Sequence, residues 1–393
     1  MTLTDPGQTS AELRTDSNGP ADEQWRRRIR AFATREVAPL SAEMDRDADL
    51  HPELRGKLFT EGLMAIEAPT RYGGGGGSLM QVVLAIEEIA RVDPGVAVAV
   101  DVQNALIVAT LLRQGTGDQK RRHLPLLATR HVGAFALSEE QAGSDALALA
   151  TTATPVRGGF RLNGRKRWTS NARQADLFLV FARAEGHGTS AFLVERSTAG
   201  VAVEPRAEQL GVRAAATADL VLTDVPVRAG ACLGGLGRGD GVAIAALDIG
   251  RVGIAAQLVG LAQGALDEAV AYSRQREQFG QRISSFQGVQ FVLAETATEI
   301  AAARALLYEV TRAVAGDTDV AERLRLSAMA KLFASQVAER AASRAVEVLG
   351  GNGYTREYPV ERFYRDAKAG RIYEGTSNIL LRAIAGSLPQ ERP

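Results

Sequence analysis

The sequence predicts an α+β chain in three successive parts: a helical N-terminal domain, a β-barrel or sandwich middle domain and a C-terminal four-helix bundle. Two changes of hydrophobic period predict it. Apolar residues recur at threes and fours up to about Arg130, change to short β-type runs between Val132 and about Val227, and return to helical spacing from Gly241. The resulting boundaries are 1–22 for a loose tail, then 23–131, 132–238 and 239–393.

In the first part the helical stripes are Ile29, Phe32, Val37 and Leu40, then Leu79, Val82, Val83, Ile86 and Ile89, then Leu106, Ile107, Thr110 and Leu111. Pro69 and the five-glycine run Gly73 to Gly77 interrupt them. No strand precedes the glycines, so they read as a flexible turn rather than a phosphate loop. Arg26, Arg27, Arg28 and Arg30 lack aromatic interleaving and read as a solvated helix face.

The middle runs are Ala134 to Leu137, Phe160 to Leu162, Leu177 to Phe181, Ala191 to Val194, Val201 to Val203 and Leu220 to Leu222. Short strands without intervening helices suggest an antiparallel barrel or sandwich. Asn163-Gly164 reads as a hairpin turn.

Helical patterns then cover 242–275, 286–314, 319–348 and 376–387. Val289, Val292, Leu293, Thr296, Ile300, Ala303, Leu307 and Val310 trace one bundle-facing stripe. Gly250, Gly253, Gly260 and Gly264 cost helix propensity, tolerable where a backbone or ligand packs closely. Gly350 and Gly351 read as a C-cap.

Composition narrows the function. Of 393 residues, 46 are basic and 46 acidic, which removes the electrostatic footprint of a nucleic-acid or membrane-surface binder. The single Cys232 forms no internal disulfide, and His51, His123, His131 and His187 lack metal-ligand spacing, so no metal centre is expected. The first twenty residues carry Asp5, Glu12 and Asp16 and resemble no targeting segment, which suggests a cytoplasmic protein. No stretch approaches a bilayer-spanning run, so no membrane is expected.

Three segments carry chemistry. The first runs from Arg365 to Asn378 and contains Tyr373-Glu374-Gly375-Thr376. Glu374, between an aromatic ring and a glycine, suits an exposed tip facing a dry cleft, where partial desolvation raises a carboxyl pKa toward that of a base. Thr376 is placed to cap the helix of Ile379, Leu380, Leu381 and Ile384. Alone, the segment also reads as a helix N-terminal glutamate favoured by the dipole. The second segment, Ala134 to Asp145, is a strand leaving into a small-residue loop that presents Ser138 and Ser144. The third, Asn163 to Asn171, offers the flat face of Trp168 beside hydroxyl donors.

These segments, with Asp248-Ile249-Gly250-Arg251, Arg274 to Gly280, Leu349 to Tyr354 and Glu357 to Glu361, stand in an order that resembles the acyl-CoA dehydrogenase family. The resemblance covers about Glu23 to Leu388 and implies FAD, an acyl thioester substrate, an electron-transferring flavoprotein as acceptor and a homotetramer. It implies that Glu374 is the base that removes the α-proton while the β-carbon passes hydride to FAD. Phe135, Leu137, Ser138, Gly143, Ser144, Trp168 and Ser170 are implied on one side of the flavin, completed by Thr376 and Asn378. Arg276, Gln278, Phe279, Phe286, Gln287, Glu347 and Gly351 are implied at its pyrophosphate and adenosine end, across a subunit interface. Ser144, Asp248, Arg251, Tyr373 and Gly375 are implied at the substrate.

The sequence also departs from the family pattern. Glu140 replaces a usual proline, Gln209 a usual lysine and Ala215 a usual serine, which leaves open a carrier-protein-bound acyl chain instead of CoA. An oxygen-using oxidase on the same scaffold is likewise open. Gly250 occupies the position of the base in the isovaleryl and long-chain branches, so a straight short or medium chain is favoured. Val98, Ala99 and Val102, implied near the pocket floor, offer no charge for a dicarboxylic tail.

Overall fold

The structure is a computed structural model that describes residues 19–205 and 208–388. Most of the predicted tail lies outside the described residues, and Pro20 already opens a helix. The N-terminal part contains α1 (Pro20–Phe32), α2 (Ser41–Asp47), α3 (Pro52–Thr60), α4 (Leu79–Ala90), α5 (Pro94–Asp101), α6 (Ala109–Gln114) and α7 (Gly117–Thr129). A π-helical segment, Val102–Val108, joins α5 to α6. Local chemistry sets the starts: Ser78 and Gln81 form a capping box on α4, and Asp93 accepts from Gly95 and Val96 ahead of Pro94 on α5.

Two expectations for this part are corrected. Arg26 is buried, not solvated, and binds Glu88 at 2.5 Å and Glu87 at 3.0 Å, while Arg30 joins Glu88 at 2.8 Å. Two arginines of α1 thus neutralise carboxylates that α4 buries, as a charge inside a core requires. The glycine run is pinned rather than flexible: the N–H groups of Gly75, Gly76 and Gly77 donate to Ala65, Ala68 and Ile66. A Cβ on Gly74 would collide with Ala68, so close backbone approach explains the glycines.

The middle part is an eight-stranded sheet of β1 (Gly133–Ala136), β2 (Thr152–Val156), β3 (Gly159–Thr169), β4 (Leu177–Ala184), β5 (Gly188–Glu195), β6 (Val201–Glu204), β7 (Ala218–Arg228) and β8 (Cys232–Leu233). Its order is β6-β7-β3-β2-β4-β5-β8, with β1 also on β4. The sheet is mixed rather than purely antiparallel, because β1 and β2 both run parallel to β4. Asn163-Gly164 is no turn: it lies inside β3, where the register with β7 shifts and Gly164 takes φ 155°. The Asn-Gly pair marks a β-irregularity, and the β2–β3 turn is Arg157-Gly158. Alternate residues of β4 face opposite ways. Leu177, Leu179 and Phe181 pack with the N-terminal helices, while Phe178 and Val180 pack with Phe160, Phe192 and Leu220 of the sheet itself.

The C-terminal part begins with the 37-residue α8 (Gly239–Gln275), followed by a small hairpin of β9 (Glu277–Gln278) and β10 (Gln281–Arg282). Then come α9 (Gln287–Ala315), α10 (Val320–Leu349), α11 (Val360–Ala369) and α12 (Ser377–Gly386). Only α11 escapes the periodicity, because its buried face mixes Val360 and Phe363 with Arg362 and Asp366. Those polar groups have partners: Asp366 accepts from the Val212 N–H at 2.6 Å and Arg362 donates to the Val92 carbonyl at 3.0 Å. Against expectation, α8 and the segment Pro94–Gln114 are long and apolar enough to cross a bilayer; both are largely buried in the protein core. Close contact does explain the α8 glycines, since a Cβ on Gly260 would strike the Glu87 carbonyl and one on Gly264 the Arg91 carbonyl.

Candidate active site

Glu374 sits in the short link between α11 and α12, with φ 53°, followed by Gly375 at φ 97°. A non-glycine residue held in the left-handed region stores strain and needs surrounding contacts to persist. They are present. Tyr373 donates its hydroxyl to Gln257 Oε1 at 2.9 Å, Lys331 Nζ donates to the Gly375 carbonyl at 2.7 Å, and Ser377 N–H bonds the Arg371 carbonyl at 3.2 Å. Thr376 caps α12 through the Ile379 N–H, as its position in the sequence predicts.

The link lies against one face of α8. A Cβ on Gly250 would stand 3.0 Å from Glu374 Oε2 and 2.7 Å from Leu106, so the absent side chain makes the notch that the carboxylate enters. One turn further, Gly253 makes room for Asp101, whose carboxylate a Cβ there would overlap. One turn beyond, Gln257 meets Tyr373. Residues 250, 253 and 257 share a helix face, so the three contacts form a row.

Glu374 is half-buried with its carboxylate turned inward rather than held at an exposed tip. Glu374 Oε2 is buried without a hydrogen-bond partner, as are both carboxylate oxygens of Asp101. Burial pushes the Glu374 carboxyl up to about 7, against the opposing pull of Arg251 and Lys331. Asp101 lies well above the usual carboxylate range through burial and the neighbouring charge of Glu374. Arg251 reaches the Glu374 carbonyl through Nε at 3.4 Å.

Asp248 is engaged elsewhere. It is buried, accepts from Ser327 Oγ at 2.6 Å and lies 3.7 Å from Arg323 Nε, so α10 holds the carboxylate implied at the substrate.

The flavin-side residues gather at the ends of β1 and β3. Trp168, at φ 59°, exposes 55% of its surface, which a core tryptophan would not. Phe135 packs against Phe181 with ring centroids 4.9 Å apart and planes tilted by 55°, Leu137 is buried, and Ser138 and Ser170 are half-buried. Gly143 and Ser144 are exposed on the loop beyond. Asn171 ties this corner to α5 through the Ala99 carbonyl at 3.1 Å, two residues before Asp101. An exposed indole, the partnerless buried Thr169 hydroxyl and the weakly bonded Ser170 and Thr217 hydroxyls, 3.4 Å apart, fit a flat polar-edged ring such as a flavin. The buried Lys166 holds the corner, bonding Glu139 at 2.6 Å and the Leu137 carbonyl at 3.1 Å.

The second flavin set lies apart. Arg276, Gln278, Phe279, Gln287, Glu347 and Gly351 are exposed and Phe286 half-buried at the far end of the bundle, where Asn352 bonds Tyr272 at 2.8 Å. Phe279 is 95% exposed and meets Phe286 edge to face at 6.2 Å. From Gly250 to this end α8 runs roughly 40 Å.

Sequence reasoning missed Asp101, Gln257 and Lys331. Two carried a signal: Asp101 is the lone charge in the apolar stretch expected to floor the pocket, and Lys331 stands on the same face as Ser327, Ala334 and Ala338, all buried, whereas Gln257 carried none.

Comparison with known proteins fits this geometry. The chain matches the acyl-CoA dehydrogenase N-terminal domain over residues 19–131, the middle domain over 134–225 and the C-terminal domain over 237–388. It is 43% identical to the mitochondrial short/branched chain specific acyl-CoA dehydrogenase of Rattus norvegicus, over 94% of this chain and 86% of that one. The CarC subunit of the caffeyl-CoA reductase–Etf complex of Acetobacterium woodii is 36% identical over 92% of this chain and 97% of its own. An acyl-CoA dehydrogenase from Bacillus anthracis solved with FAD superposes with a TM-score of 0.88 at 30% identity, covering 95% of this chain and 67% of that one. The chain belongs to the acyl-CoA dehydrogenase family, FAD-dependent oxidoreductases that act on acyl-CoA.

Proposed function

We propose that the protein converts a short acyl-CoA, straight or branched, to its trans-2-enoyl-CoA, with Glu374 as the base that removes the α-proton. One observation carries the reading: a carboxylate oxygen, buried and without a partner, held in the Gly250 notch. A proton beside a thioester carbonyl is weakly acidic, and a base raised to about 7 matches it better than an ordinary glutamate. Arg251 and Lys331 keep that base ionisable at neutral pH. The Glu374 backbone N–H donates to the thioester carbonyl, so charge developing on that oxygen meets a fixed dipole. Water leaves as the acyl chain fills the cleft, which strengthens each of these interactions.

Trp168, Ser138, Ser170, Thr376 and Asn378 hold FAD, which when bound supplies the two-electron acceptor for the β-hydride. The roughly 40 Å along α8 from the Glu374 notch at Gly250 to Arg276 supports an assembly in which two copies complete each site, a homotetramer by the family pattern. Short acyl chains, branched ones included, are supported by the name of the rat relative, and CoA rather than a carrier protein by the acyl-CoA and caffeyl-CoA in the names of these two relatives. An electron-transferring flavoprotein as acceptor is supported by the name of the CarC relative. The test is anaerobic bleaching of the flavin by a panel of acyl-CoA and acyl-carrier-protein thioesters of graded length and branching. Rapid bleaching by short acyl-CoA is expected; no bleaching by any member contradicts the reading.

A further inference from the structure

Lys331 is fully buried, and beyond a charge that keeps Glu374 ionisable the chemistry above gives it no structural part. It stands on α10 among Ser327, Ala328, Ala330, Ala334, Ser335 and Ala338, small buried residues that let α10 approach α8 closely. An ammonium in such a place is costly unless it is bonded and faces negative charge. The bond is present, since its Nζ donates to the Gly375 carbonyl at 2.7 Å, one residue from Glu374, and the Glu374 charge acts on it.

We propose that Lys331 is a positioning residue for Glu374, holding the left-handed turn through the Gly375 carbonyl and placing a buried positive charge opposite the carboxylate. The inference rests on the reading of Glu374 as the base. Two consecutive positive φ values, 53° at Glu374 and 97° at Gly375, cost free energy that the turn recovers from its contacts. Tyr373 with Gln257 secures the residue before the base, and Lys331 secures the residue after it. Released from Lys331, Glu374 can relax toward ordinary φ and withdraw its carboxylate from the notch.

The charge has a second consequence. The groups facing Lys331 are Glu374 from the turn, Arg251 from α8 and Arg371 after α11. Burial brings the ammonium down to about 7, Glu374 pulls it upward, and the two arginines push it further down. Lys331 thus loses its proton on the alkaline side, while Glu374 gains one on the acid side. Active enzyme is the form with Glu374 ionised and Lys331 protonated, which makes the pH profile of proton abstraction bell-shaped, with apparent values that belong to the pair.

The test is single-turnover flavin reduction by a short acyl-CoA against pH in the flavin-loaded enzyme, for wild type, Lys331→Met, Lys331→Arg and Glu374→Gln. Lys331→Met should move the acid limb up by about one pH unit or more, remove the alkaline limb and lower the plateau by roughly tenfold. Lys331→Arg, which keeps its charge at every pH, should remove the alkaline limb while leaving the acid limb near its wild-type position. If Lys331→Met does not fold, the alkaline limb in Lys331→Arg decides. Variants with full flavin content and both limbs unchanged overturn the proposal, provided Glu374→Gln is inactive. A Glu374→Gln enzyme as fast as wild type overturns the base itself, and Lys331's role with it.

Discussion

Glu374 Oε2 lies 3.0 Å from where a Cβ on Gly250 would stand, so carboxylate and helix fit each other as they do because position 250 has no side chain. A Gly250→Ala enzyme should fold, since Leu106 and the carboxylate are side-chain ends able to shift. The displaced base should cost about a hundredfold in the rate of flavin reduction. Stopped-flow reduction with a short acyl-CoA checks this, and an unchanged rate would remove the notch from the account.

The pH dependence of stability follows from the raised pKa of Glu374. A carboxyl near 7 when folded and near its ordinary 4.5 when unfolded binds its proton more tightly in the folded protein. Its contribution to stability is therefore present below the unfolded value and is lost as pH rises through about 7. Glu374→Gln should melt higher than wild type at alkaline pH, by roughly a few degrees, and near wild type at acid pH. Calorimetry on both flavin-loaded proteins tests the sign; a variant less stable at alkaline pH would contradict it.

Trp168 exposes more than half of its surface in a left-handed backbone position, which suits a wall for a flat ligand better than a core residue. Trp168→Ala should weaken flavin retention by about tenfold without unfolding the sheet. The ratio of flavin to protein absorbance after dilution measures it. Full retention would place the flavin elsewhere.

Arg26 answers to stability rather than chemistry. Glu88 is buried, which would raise its carboxyl, yet hydrogen bonds from Arg30 and Arg26 bring it to about 2. The stabilisation is present above the ordinary carboxylate value and is lost as pH falls through about 2. Arg26→Ala leaves Glu87 and Glu88 short of a partner and should cost roughly 3–5 kcal/mol. Denaturant unfolding at neutral pH reads it; a loss below about 1 kcal/mol would mean that Arg30 on Glu88 and Arg304 of α9, whose Nε donates to Glu87 at 2.7 Å, suffice.

Much of this architecture is legible in the chain, because α9 and α10 bury one face at helical spacing, α8 is apolar and buried nearly all round its middle, and β4 and β5 carry continuous apolar runs. The failures share a cause. In α11, in the Arg26–Glu88 pair and at Lys331, polar residues are buried with partners far away in sequence, so composition reads them as surface. Asn163-Gly164 failed differently, since a local turn signal yields to the pairing of β3 with β7 on one side and β2 on the other. Glu374 and Trp168 were readable from short motifs, while Asp101 and Gln257 acquire meaning only when α8 is seen beside α5 and the α11–α12 link.

The central claim is that Glu374 removes the α-proton, and anaerobic single-turnover reduction of the flavin by a short acyl-CoA in Glu374→Gln tests it most directly. The account predicts a flavin-loaded variant that binds the thioester but loses reduction by a factor of about a thousand or more. Bleaching as fast as in wild type would contradict it.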